Sequence, residues 1–189
     1  MSGQVRSRLS RDDWTAAALR ALAAGGLAAV AIEPLAATLG TTKGSGYWHF
    51  ANRAALIGAT LERWENDNTA AVIAQLDSSA PPEDRLENLF RRVMRFAETH
   101  SVELALLASA ADPMVAMALQ RVTDRRLDYL AGLFDDLGFD ALEARHRALL
   151  AYTSYLGHAQ LARAAPASVS SAADREAYLR SVLDALTRH

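Results

Sequence analysis

Alanine and leucine set the terms on which this chain can fold. They supply 67 of its 189 residues, 40 Ala and 27 Leu, whereas Val and Ile together supply 12. Ala loses no side-chain entropy in a helix and Leu loses little, while a sheet-based core relies on β-branched residues to pack its pleated faces. An all-α fold follows. The length suits one large domain, or a small unit joined to a larger one, with a core that needs no covalent staples. The chain has no cysteine, which excludes disulfides, a thiol nucleophile and Cys-based metal sites.

Residues 1–13 are polar and basic with no apolar run, unlike a signal peptide. The weakly polar stretch from Ala21 to Ile32 is broken by Gly25 and Gly26 and is too short to span a bilayer. The expectation is a cytoplasmic protein with no membrane partner. The formal net charge of −2 conceals a division. Residues 1–55 carry six cations (Arg6, Arg8, Arg11, Arg20, Lys43 and Arg53) against three acids (Asp12, Asp13 and Glu33), and the remainder is acidic. A small basic unit on an acidic body suggests a polyanion contact at one end.

The apolar period predicts a succession of helices and no strand. Trp14, Ala17, Ala18, Ala21 and Leu22 share one face of a helix near 11–24, which Gly25-Gly26 terminates. A short helix near 32–39 has Pro34 in its first turn and ends at Gly40. Thr41-Thr42 then cap another near 43–49, and Asn52 caps a long helix of roughly two dozen residues. Beyond the break at Ser78-Ser79-Ala80-Pro81-Pro82, further helices run through Leu86–Ala97, around Leu104 and Leu107, and from Val115 to Leu137. Two more lie near 140–164 and 174–187, for about nine in all. The expected division is 1–55 as a helix-turn-helix unit and 56–189 as a larger helical bundle.

The segment Lys43-Gly44-Ser45-Gly46-Tyr47-Trp48-His49-Phe50 is an odd helix. Two glycines in so short a helix each cost about 1 kcal/mol against Ala, a cost that makes sense where the helix must approach another backbone or a phosphate. From Trp14 to Arg53 the chain resembles the TetR family of transcriptional regulators. The resemblance is carried by Gly26, by Leu35-Ala36-Ala37-Thr38-Leu39-Gly40, by Lys43 to Phe50 and by Asn52-Arg53, with no insertion needed. It implies a helix-turn-helix whose second helix enters the DNA major groove. Tyr47 and His49 would contact phosphate, joined by Arg53. Thr42, Lys43, Gly44, Ser45 and Trp48 would face the groove, Phe50 would be core, and Arg6, Arg8 and Arg11 would form a basic arm. Two positions depart from the family pattern. Gly46 stands where a large aliphatic is usual, and Ala31 where a Ser or Thr cap is usual. Trp14, bulkier than the family's usual residue, is expected to fill the space at Gly46.

Other readings of these residues are weaker. A buried helical hairpin would not need this chemistry, and Gly44-Ser45-Gly46 follows a helix and lacks the third glycine of a nucleotide loop. Glu143 and His146 have a helical metal-ligand spacing, yet a di-metal bundle needs two such pairs. No Gly-x-Ser-x-Gly elbow occurs. Neither catalysis nor a cofactor nor a metal is expected.

In the C-terminal body the resemblance implies a cavity for a small, mostly apolar effector, and a homodimer. Aromatic and Met residues at helical spacing could equally be ordinary core. The candidate ligand contacts are Trp64, Met94, His100, Met117, Tyr152, Tyr155 and His158. The candidate dimer interface is the small-residue ridge Ala148, Ala151, Tyr155, Ala159 and Ala162, together with Leu179, Val182 and Leu186. The expected function is a ligand-responsive, double-stranded-DNA-binding regulator, a repressor released by its effector. The alternative is a small-molecule-binding or protein-partner module that has lost specific DNA binding.

Overall fold

The computed structural model describes residues 9–76, 78–99, 102–169 and 172–188. Among them there is no strand. The helices are α1 (Arg11–Gly25), α2 (Ile32–Thr38), α3 (Lys43–His49), α4 (Arg53–Glu65), α5 (Ala71–Ala74), α6 (Pro82–Thr99), α7 (Val102–Leu107), α8 (Pro113–Asp136), α9 (Ala141–Ala164) and α10 (Ala172–Thr187). A π-helical segment, Asn66–Ala70, joins α4 to α5 without a break, so the described residues hold nine separate helical rods.

Local chemistry sets the boundaries. Ser10 and Asp13 form a reciprocal capping box at the start of α1, the Ser10 hydroxyl accepting from Asp13 N–H and the Asp13 carboxylate from Ser10 N–H. Asp112 caps α8 and Asp140 caps α9 without a reciprocal partner, each carboxylate accepting two backbone N–H groups. Gly138 takes a φ of 93° to turn the chain between them.

Two apolar cores result. The first joins Trp14, Leu22, Leu35, Phe50, Leu56 and Trp64 of the N-terminal helices to Leu106 of α7 and to Val115, Leu119 and Val122 of α8. The second packs Leu86, Phe90, Met94, Leu133 and Phe134 against α9 and against Leu179 and Leu186 of α10. The long α8 belongs to both cores, and α4 runs from the first through its π segment toward the second.

The expected orientation of α9 requires correction. Its small-residue ridge faces inward: Ala144, Ala148, Ala151 and Ala159 are buried in their own chain, because Ala lets α9 approach its neighbours closely. Ala162 is half-buried, Leu179 and Leu186 are buried in the second core, and Val182 packs against it. These side chains pack within the protomer, with Ala162 and Val182 still partly exposed. The apolar face that α9 does present to solvent is Leu142, Leu149, Leu150 and Leu161, each at least half exposed.

Candidate DNA-contacting face and internal cavity

The turn between α2 and α3 is built by backbone hydrogen bonds. Thr41 N–H reaches Ala36 O and Gly40 N–H reaches Ala37 O, with Gly40 at a φ of 63°. Thr42 then caps α3, its hydroxyl accepting from Ser45 N–H at 3.4 Å. Ala31 gives α2 no side-chain cap.

One side of α3 faces inward. Gly46 is buried, and a β-carbon there would lie 2.6 Å from Ile32 Cγ2 and 2.7 Å from Trp14 Cη2. Trp14 thus occupies the volume a larger residue 46 would need. Phe50 is buried beneath the Arg11 guanidinium, which stacks 5.4 Å from the ring centroid. The other side of α3 is open: Thr42, Lys43, Gly44, Tyr47 and Trp48 are exposed, with Ser45 and His49 half-buried beside them. Trp48 is 65% exposed, too much for a core role.

Three side chains here are already engaged. The Tyr47 hydroxyl donates to Glu33 at 3.0 Å, a hydrogen bond that raises its pKa. His49 Nε2 is 2.9 Å from Leu9 O and ties the end of α3 to the residue before the α1 cap. Arg53 donates from Nε to Val30 O at 2.8 Å and from Nη2 to Leu27 O at 2.7 Å, clamping the link between α1 and α2 to the start of α4. Arg53 and His49 therefore brace the unit as well as standing at its surface. Glu33, on this same face, was not singled out by sequence, since a lone acid in a helix's first turn reads as a dipole partner. Arg6 and Arg8 lie outside the described residues.

A cavity of about 80 Å³ lies between α5, α6, α8, α9 and the π segment. Most of its wall is hydrocarbon and aromatic, from Val72, Ile73, Leu89, Phe90, Val93 and Leu130. One end is polar, with Asn68, Thr69, Arg126, Tyr152 and Tyr155. There Arg126 donates to Glu103 Oε1 at 2.6 Å, to Thr69 Oγ1 at 3.1 Å and to Asn68 O at 3.2 Å. Tyr152 and Tyr155 donate to the two oxygens of Glu103 at 3.2 and 2.8 Å. Burial draws the Arg126 pKa down, but Glu103, with both phenols, more than offsets this, so it ends above the ordinary arginine value. Burial first, then Glu103, pushes both tyrosine pKa values upward, which keeps them as protonated donors.

Of the expected ligand contacts, the structure brings Tyr152 and Tyr155 to this cavity. Trp64 is buried in the first core with the Arg126 guanidinium 5.9 Å from its ring centroid. Met94 is buried in the second core, and His158 is buried and stacked on Tyr178. Met117 is 65% exposed and is not among the residues lining this cavity. His100 lies outside the described residues. The polar residues missed by sequence were Asn68, Thr69, Glu103 and Arg126. Glu103 had a signal, as the one charge in the apolar run Val102–Leu107, whereas nothing in Arg125-Arg126 says which arginine turns inward. Among the described residues no three His, Cys, Asp or Glu stand close enough to hold a metal ion, and no helix is long and apolar enough to cross a membrane.

Comparison with known proteins adds three kinds of result. Residues 15–60 match the family model of bacterial regulatory proteins, TetR family. No curated protein sequence matches the chain. Several solved structures share its fold. A transcriptional regulator from Rhodococcus sp. Rha1 superposes with a TM-score of 0.75 at 22% identity, covering 95% of this chain and 94% of that one. The ketosteroid transcriptional regulator of Mycobacterium tuberculosis gives 0.64 at 20% identity, over 100% and 99% of the two chains. BioQ, crystallised with its natural double-stranded DNA operator, gives 0.56 at 20% identity over 96% and 99%.

Proposed function

We propose that this chain, whose residues 15–60 belong to the TetR family of bacterial regulatory proteins, is a ligand-responsive DNA-binding transcriptional regulator. It acts in the cytoplasm as a homodimeric repressor, released from a palindromic operator by a small, mostly apolar effector. The observation that carries this reading is α3: Gly46 is locked against Trp14 and Ile32 while Lys43, Gly44, Tyr47 and Trp48 stay exposed on the opposite side. A buried structural helix would have no reason to expose a tryptophan and a tyrosine beside a lysine.

DNA contact is assigned to residues 1–55, and effector and dimer contacts to 56–189. Thr42, Lys43, Gly44, Ser45 and Trp48 enter the major groove, and Tyr47, His49 and Arg53 meet the flanking phosphates. For Tyr47 this means exchanging Glu33 for a phosphate oxygen. The dimer forms through the exposed leucines of α9 and the outer face of α10, where Tyr178 is partly exposed. Two α3 helices must then reach successive major grooves about 34–36 Å apart, or a matching half-site spacing. An effector favouring another separation depopulates that arrangement, and operator DNA lowers effector affinity by the same factor.

Selection of duplexes from a random library, at two salt concentrations, tests the reading. An inverted repeat whose binding falls steeply with salt is expected. Recovery of no motif, with weak binding that vanishes in modest salt, overturns it.

A further inference from the structure

Among the described residues lining the cavity, Arg126 is the one charged side chain, and its counter-ion Glu103 already pairs with it. Glu103 has one carboxylate oxygen engaged by Arg126 Nη1 and Tyr152 and the other by Tyr155. The pair sums to zero charge, and both oxygens are satisfied. A guanidinium has five N–H donors. The Nε hydrogen goes to Thr69, the Nη1 pair to Glu103 and Tyr152, and one Nη2 hydrogen to Asn68 O. Among the described residues one Nη2 hydrogen is left over. The Tyr152 and Tyr155 hydroxyls have spent their hydrogens on Glu103. The rest of the wall is apolar apart from the Tyr129 phenol and the Asn68 side-chain amide, which donates to Trp64 O.

These donors and charges discriminate between ligands. A second carboxylate brought here would have to share Arg126 with Glu103 and would leave a net negative charge in a desolvated place. A pure hydrocarbon would leave the last guanidinium hydrogen without an acceptor, which is costly once water is displaced. Resting on the reading of this cavity as the effector site, we infer that its ligand is an uncharged, compact, largely hydrocarbon or aromatic molecule with one strong hydrogen-bond acceptor, such as a ketone or ester carbonyl. That acceptor takes the remaining Nη2 hydrogen of Arg126, and the Glu103–Arg126 pair stays intact.

Three probes of nearly one shape separate the possibilities: acetophenone (neutral acceptor), benzoate (anion) and cumene (no acceptor). Binding of each to the full chain is measured by calorimetry near neutral pH. Acetophenone is expected to bind roughly tenfold more tightly than either of the others, the worth of one hydrogen bond to a charged donor. In Glu103→Gln the compensating charge is gone, and preference swings toward benzoate by about tenfold. Benzoate matching or beating acetophenone on the unaltered chain overturns the inference, as does cumene binding equally well. Either result leaves the cavity as an effector site. Failure of all three at millimolar concentration overturns the effector-site reading itself, and the inference with it.

Discussion

At Gly46 two local preferences compete. Replacing a helical glycine by alanine gains about 1 kcal/mol of propensity, but a β-carbon there would lie 2.6–2.7 Å from Ile32 and the Trp14 ring. Both are fully packed side chains, and overpacking a tight core costs about 1–3 kcal/mol. Gly46→Leu should therefore lower stability in urea denaturation, and Trp14→Leu in the same chain should recover part of the loss as a favourable coupling in a double-mutant cycle. A Gly46→Leu protein more stable than the parent with Trp14 in place would refute this account. The same scale separates bracing from contact. Arg53→Ala removes two charged hydrogen bonds to Val30 O and Leu27 O and should destabilise the unit by about 1–3 kcal/mol. Tyr47→Ala, on an exposed face, should change stability by no more than about 0.5 kcal/mol while weakening binding to all DNA sequences alike. Changes at Lys43 or Ser45 should instead alter sequence preference; equal losses across sequences for all three would reverse the assigned roles. The exposed face and the Trp14–Gly46 fit were legible because both follow from residue size and spacing. The bracing by Arg53 and His49 was not, since their partners are backbone carbonyls that only the fold brings near.

Among the elements, α9 shows where periodicity runs out. Its alanines and its leucines each form an apolar stripe, and an apolar stripe on two sides says that both are covered without saying by what. Packing decides it: small side chains admit the close approach of helices within the protomer, so the alanines go inward and Leu142, Leu149, Leu150 and Leu161 remain outside. Leu149→Arg should then yield a monomer in sedimentation at micromolar concentration with its own helical stability nearly unchanged. Ala148→Leu, by contrast, should destabilise the protomer by about 1–3 kcal/mol without changing its assembly. A Leu149→Arg protein that still dimerises would move the interface elsewhere. The α4 rod carries a similar lesson. Its length was legible from Asn52 onward, but the π segment Asn66–Ala70 was not, because the polar run Asn66-Asp67-Asn68-Thr69 reads simply as a solvated face. Arg126 on α8 draws on both Asn68 O and Thr69 Oγ1, and a local widening of the helix accompanies those bonds.

Across the whole molecule, the polar cluster sits where the two cores meet. Arg126 touches the π segment of the rod that leads back to α3, and it pairs with Glu103 on α7, whose Leu106 is buried with Trp14 and Leu22 in the first core. The same guanidinium lines the cavity. The polar end of the cavity thus adjoins α4 and α7, both of which pack against α1, and a coupling through Arg126 is a testable expectation. Breaking the pair from one side is expected to be severe: Arg126→Met strands a buried carboxylate and should cost about 3–5 kcal/mol. Neutralising both sides with Glu103→Gln and Arg126→Met should return most of that, since a buried pair contributes less to stability than the loss of either partner suggests. The double variant then isolates communication from folding. Operator binding to the unaltered chain should change amide hydrogen exchange in α6 and α9, far from α3, because a coupling free energy between two sites is reciprocal. In the double variant, with both cores intact and DNA still bound, that distant change should be lost. Its persistence would mean that the coupling passes through the shared apolar contacts of α8 rather than through Arg126.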